Sequence, residues 1–172
     1  THMPKISVRA ELMPSSPIRR LAPLAEAAKR RGTKVYHLNI GQPDIKSPAC
    51  ALDAIKNFSA ENVSYSHSAG LMELRKGLVE KYYRKIGIDI SVDELIVTVA
   101  GSESVNLALE ITCNPGDEVI VLEPFYTNYN TFAFMNGLTL KAIPTDIRNG
   151  FQIPPIEEFE KAITDKTKAI LV

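Results

Sequence analysis

The chain has 172 residues, 45% of them apolar and 23% charged, with twenty basic side chains balanced by twenty acidic ones. These proportions describe an ordinary globular protein with a core, and a zero net charge gives no overall field toward nucleic acid or an anionic membrane. No apolar stretch approaches the roughly 20 residues of a membrane span, and no secretory signal opens the sequence.

Thr1-His2-Met3 reads as a tag remnant, and residues 4–14 have no clear period and predict an extended arm. Ser15-Ser16-Pro17 predicts a helix start, a cap followed by proline in the first turn. Ile18, Leu21, Ala25 and Ala28 mark one face of that helix, and Lys29-Arg30-Arg31-Gly32 closes it as its dipole prefers. Val35 to Leu38 is a strand candidate that runs into Asn39-Ile40-Gly41-Gln42-Pro43-Asp44, where glycine and proline break regular structure. Pro48 to Phe58 predicts a helix with Leu52 and Ile55 inward, followed by a polar loop over 59–69 that holds Tyr65 and His67. From Gly70 an amphipathic helix puts Leu71, Leu74, Leu78, Tyr82 and Ile86 on one stripe, with Glu80 and Arg84 able to pair outside it. Gly87 ends it.

Leu95 to Val99 is a β-branched run without polar alternation, as expected of a strand buried on both faces. Ala100-Gly101-Ser102 is a small-residue corner, and Val105, Ala108, Leu109 and Thr112 then return at helical spacing. After the Asn114-Pro115-Gly116-Asp117 turn, Glu118 to Leu122 and Leu138 to Ile143 predict strands around a short helix over Thr131 to Met135. Ile156, Phe159 and Ile163 mark another helix, and Lys168 to Val172 another strand. Strands alternating with helices imply an α/β fold with a mostly parallel sheet flanked by helices. Cys50 and Cys113 lie far apart without metal-ligand spacing, so no metal site is expected. Two unpatterned cysteines suit a reducing cytoplasm.

A strand that feeds a tight corner and then a helix gathers free backbone N–H groups at the positive end of the helix dipole. Gly101 and Ser102 thus fit a phosphate or another anion, although an ordinary turn with Ser102 as a helix cap has the same sequence. The Tyr126 loop leaves the carboxyl end of a neighbouring strand, where ligands of open α/β sheets sit. A phosphate cradle beside an aromatic face suits a flat phosphorylated ring. Neither the dinucleotide pattern G-x-G-x-x-G nor the Walker pattern G-x-x-x-x-G-K-[ST] occurs.

The chain resembles the class I/II pyridoxal-phosphate-dependent aminotransferases of fold type I, and is most similar to the aspartate-aminotransferase-like members. The resemblance rests on pieces that arrive in family order: Leu38-Asn39-Ile40-Gly41-Gln42-Pro43-Asp44, Tyr65 with Ser68-Ala69-Gly70, Glu73-Leu74-Arg75 and Val97 to Ser104. It continues with Pro115 to Val119, Pro124-Phe125-Tyr126-Thr127-Asn128-Tyr129 and Thr167 to Ile170. It implies that Gly101, Ser102 and Glu103 form the loop whose amides hold the phosphate of pyridoxal 5'-phosphate, and that Tyr126 stacks on the pyridine ring. Tyr65 would reach the phosphate of a partner subunit's cofactor, which implies a homodimer. Gly41 would touch the substrate α-carboxylate. One local departure is Ala100, where many members carry a second glycine.

The same resemblance implies that residues 1–47 are the tag remnant, the arm and a small-domain segment, and that 48–172 are the N-terminal part of the large cofactor-binding domain. The Schiff-base lysine, the aspartate facing the pyridine nitrogen and the arginine gripping the substrate have no positional counterpart here. The sequence therefore reads as an N-terminal fragment without a catalytic residue of its own, inactive alone. The implied whole is a cytoplasmic enzyme moving an amino group between an L-amino acid, aspartate-like, and a 2-oxo acid. A lyase or synthase on the same scaffold, or a non-catalytic cofactor-binding or dimerisation module, would share these residues.

Overall fold

The computed structural model describes residues 4–172, so the stretch read as a tag remnant lies outside the described residues. Eight α-helices are described: α1 (Val8–Leu12), α2 (Pro17–Arg20), α3 (Ala22–Arg30), α4 (Ala49–Lys56), α5 (Met72–Leu78), α6 (Gly101–Thr112), α7 (Asn128–Asn136) and α8 (Ile156–Ala162). Three strands, β1 (Glu118–Glu123), β2 (Thr139–Pro144) and β3 (Thr167–Leu171), form one sheet in the order β2-β1-β3. Both pairings are parallel, with Val119 opposite Leu140 and Ala169. The chain divides into two compact units, residues 1–40 with 104–172 and residues 41–103.

In the first unit β1 is the centre, and Val119, Ile120 and Val121 are fully buried. Successive side chains of a strand point to opposite faces, and both faces are covered. Val119 packs with Leu109 of α6 and with Ala133 of α7 and Leu138. Ile120 packs with Ile143 and with Phe159 of α8. Cys113 lies against the first cluster, as its place after an apolar helix predicts. Helices on both faces of a parallel sheet are the expected α/β arrangement. Asp117 closes the turn before β1 by accepting from the Asn114 amide at 2.8 Å. The Glu118 carboxylate then accepts from the Thr164 hydroxyl at 2.8 Å and lies 3.4 Å from the Lys141 ammonium, tying β1 to the elements beside it. The Thr164 hydroxyl, and then Lys141, hold the Glu118 carboxyl below its ordinary range.

Several expectations need correction. Residues 8–12 are helical, because Ser7 caps them by accepting from the Ala10 amide at 3.1 Å. Val35 to Leu38 and Leu95 to Val99 are not strands, since neither finds a ladder partner among the described residues. Val99 is 94% exposed, so that run is not buried on both faces. Leu52 and Ile55 of α4 are exposed as well. The helix from α5 tightens and widens in turn, with a π segment over Val79–Tyr83 and a 3-10 turn over Arg84–Ile86, before Gly87 ends it in the left-handed region. Its buried side chains are Arg75 and Val79, whereas Leu71, Leu74, Tyr82 and Ile86 are exposed. The π turn offsets the usual i,i+4 spacing, and Glu80 and Arg84 form no ion pair among the described residues.

Candidate functional site

Gly41, Tyr65, Gly101, Ser102 and Glu103 fall in the second unit and Tyr126 in the first.

The second unit builds the corner from both sides. Ser91 and Glu94 form a capping box around the 3-10 turn Val92–Glu94, the Glu94 carboxylate accepting from the Ser91 amide and hydroxyl at 2.8 Å each. The Ser91 amide, then its hydroxyl, hold the Glu94 carboxyl below its ordinary range. Arg75, 4% exposed, donates to the Val92 carbonyl at 3.0 Å and fixes the same turn from α5. Further on, the Val97 amide donates to the Ala69 carbonyl at 3.0 Å. The segment therefore reaches Gly101 anchored by hydrogen bonds, not by a sheet ladder.

At the corner itself Ala100, Gly101 and Ser102 are exposed. The Glu103 amide donates to the Ala100 carbonyl at 3.0 Å, so it is already engaged within the chain. The amides of Ala100, Gly101 and Ser102 find no acceptor among the described residues, as the first groups of a helix do not. A Cβ built on Gly101 would meet nothing within 4 Å, so the space above the glycine is open. A phosphate ester fits this donor set: three adjacent N–H groups, the Ser102 hydroxyl and the positive end of the twelve-residue α6. The expectation for Glu103 shifts in one respect, because its amide is engaged and its side chain reaches back to the Val99 amide at 2.6 Å. The family resemblance implies a role for the Glu103 amide alone. The available signal was a glutamate at the third helical position, the pattern of a capping box.

Tyr65 is fully exposed in the 59–69 loop, and Gly41 lies in an exposed turn. In the first unit Tyr126 follows the cis Glu123-Pro124 bond just beyond β1. Its hydroxyl accepts from the Asn128 amide nitrogen at 2.6 Å, and its ring meets Tyr129 edge-on at 5.6 Å. Asn128 lies in the Pro124 to Tyr129 motif, but residue type alone gives it no contact there. Ile18, Leu21, Asn39, Phe125, Tyr126 and Thr127 line a cavity of about 330 Å³, which puts an aromatic side chain beside Asn39, two residues before Gly41 in the chain. Among the described residues no group of histidine, cysteine or carboxylate side chains could hold a metal ion, and no helix is long and apolar enough to cross a membrane.

A parallel sheet covered on both faces defines a protein of α/β class, and the exposed corner at the head of α6 leaves free amides that an anion would fit. Residues 33–172 match the family of class I and II aminotransferases, and the chain belongs to that family. Its enzymes work with pyridoxal phosphate. The chain is 34% identical to the aspartate/prephenate aminotransferase of Thermus thermophilus over 145 residues, 84% of this chain and 37% of that relative. The crystal structure of the aspartate aminotransferase of Thermotoga maritima is similar with a TM-score of 0.85 at 31% identity, over 96% of this chain and 44% of that one. The alanine aminotransferase of Pyrococcus furiosus gives a TM-score of 0.84 at 35% identity, over 96% and 43%. The fold is thus that of fold type I, and the chain spans about two-fifths of the length of these relatives.

Proposed function

We propose that the whole protein transfers an amino group between an L-amino acid, aspartate-like, and a 2-oxo acid with pyridoxal phosphate, and that this chain supplies the phosphate anchor, the ring platform and one wall of the substrate mouth. The observation that carries this reading is the open row of the Ala100, Gly101 and Ser102 amides at the head of α6, in a chain of this family. When bound, the cofactor's pyridine ring would accept the electrons released at the substrate Cα. The chain's own residues bind and orient. The amides and the Ser102 hydroxyl hold a phosphate dianion by charge-assisted hydrogen bonds. The Tyr126 ring, fixed through its hydroxyl by Asn128, presents a flat apolar face. The Gly41 backbone meets the substrate α-carboxylate.

Tyr65, fully exposed, serves a second copy by donating its hydroxyl to that copy's cofactor phosphate, which makes the protein a homodimer. Residues 1–47 belong to the arm and small domain and residues 48–172 to the large domain, and the protein works in the cytoplasm. The test is an amide-resolved titration of the chain with pyridoxal phosphate and with inorganic phosphate. Shifts at Gly101 and Ser102 with both are expected, together with no transamination of aspartate and 2-oxoglutarate by these residues alone. Gly101 and Ser102 amides that ignore both ligands would sink the assignment.

A further inference from the structure

Val99 precedes the corner with nothing but polar ties to fix it. Its side chain is almost fully exposed and no strand among the described residues pairs with it, so neither packing nor a ladder sets its backbone. The Glu103 carboxylate takes the Val99 amide at 2.6 Å, and the Glu103 amide takes the Ala100 carbonyl at 3.0 Å. The Thr98 hydroxyl donates to the same carbonyl at 3.1 Å. In an ordinary capping box the glutamate at the third helical position would return its bond to the residue just before the helix. That residue is Ala100, and its amide would then be spent. By reaching one residue further back, Glu103 leaves Ala100, Gly101 and Ser102 as three consecutive unspent donors.

We infer that Glu103 is a positioning residue, a latch whose carboxylate fixes the Val99 amide so that these three N–H groups converge on a phosphate. The inference rests on the reading of the corner as the phosphate anchor. The latch acts through its acceptor oxygen and not its charge. A carboxylate near a phosphate dianion is electrostatically unfavourable, so glutamine is the conservative variant that keeps the tie and removes the repulsion.

The test uses 4-deoxypyridoxine 5'-phosphate and 4-deoxypyridoxine, which lack the aldehyde and cannot react with lysines. Their dissociation constants are read from the Gly101 and Ser102 amide resonances, and the Val99 amide exchange rate is followed in the same samples. Glu103→Ala should cut the preference for the phosphorylated ligand by about tenfold, the scale of one hydrogen bond, and speed Val99 exchange. Glu103→Gln should restore both, with phosphate affinity equal to that of the parent or higher. A merely structural loss would weaken both ligands together and leave their ratio alone. An unchanged ratio in Glu103→Ala, or a Glu103→Gln as weak as Glu103→Ala, overturns the latch while the parent still binds. A parent chain that does not distinguish the two ligands overturns the anchor reading itself, and the latch with it.

Discussion

Gly70 and Val97 touch so closely that a Cβ built on Gly70 would lie 2.6 Å from the Val97 Cβ. Gly70 also sits at φ +96°, a conformation that side chains rarely adopt, after a turn in which its amide donates to the His67 carbonyl at 2.8 Å. The turn holds the Val97 amide through Ala69, so this glycine lets the 67–70 turn press against the segment that leads to the corner.

Gly70→Ala should therefore combine an unfavourable φ with overpacking, a loss of about 2–4 kcal/mol. In a chain of this size that is a fall in Tm of roughly 5–10 °C, read by thermal denaturation. A Tm within a degree of the parent would show that the turn gives way freely. Gly101→Ala is the control, since a Cβ there meets nothing within 4 Å of the chain, and it should leave Tm nearly unchanged.

The fold was legible where burial and sequence pattern agree. Val119 to Val121 form a β-branched run between a turn and a proline, and the run is the central strand because neighbours exist on both sides. Leu95 to Val99 has the same composition, yet a strand is a relation between two segments and this one has no partner among the described residues. Composition reports willingness to pair, not the pairing. The π turn over Val79–Tyr83 was hidden for a related reason, since a 3.6-residue stripe cannot show where one extra residue enters a turn. At the site, residue identities pointed to the corner, whereas the direction of the Glu103 side chain depends on which amides the local backbone leaves unmet.

Tyr126 can be tested apart from the corner. If its ring is the platform for the heterocycle, Tyr126→Ala should weaken 4-deoxypyridoxine 5'-phosphate by roughly 3–10-fold, the yield of an aromatic contact beyond its area. Tyr126→Phe keeps the face and loses only the bond from Asn128, so it should stay within about twofold of the parent. Calorimetric titration separates the two. Equal affinities for all three proteins would remove Tyr126 from the site.

Acid should destabilise the first unit through Glu118. Its carboxyl is held below the ordinary value of about 4.3, chiefly by the Thr164 hydroxyl, so the folded state favours the ionised form. The stabilisation is present above that ordinary value and is lost as the pH falls through the lower folded one. Asp146, held low by Arg148, adds in the same direction. Urea midpoints should thus fall as the pH drops from 5 toward 3. Thr164→Val should lower the midpoint at pH 7 and flatten that dependence, the two proteins converging at the acid end. A Thr164→Val profile parallel to the parent's would rule out the hydroxyl as the cause.

Arg75 poses the sharper energetic question, because it is a buried cation with little to answer it. It is 4% exposed, its guanidinium donates to the Val92 carbonyl, and its Nε has no partner among the described residues. No carboxylate among the described residues comes within 4.0 Å. Desolvating a guanidinium costs several kcal/mol that a single carbonyl does not return. Methionine has a similar length, fills the same space and carries no charge, so Arg75→Met should trade that cost against one lost bond to the Val92 carbonyl, which still accepts from the Leu95 amide at 3.3 Å. The expected net change is within about 1 kcal/mol of neutral. Arg75→Ala loses the stem packing as well and should cost about 2–4 kcal/mol, as other large-to-small core changes do. Urea denaturation of the three chains decides the matter. An Arg75→Met as damaging as Arg75→Ala would mean that the bond to Val92, and with it the capped turn ahead of the corner, outweighs the burial of the charge.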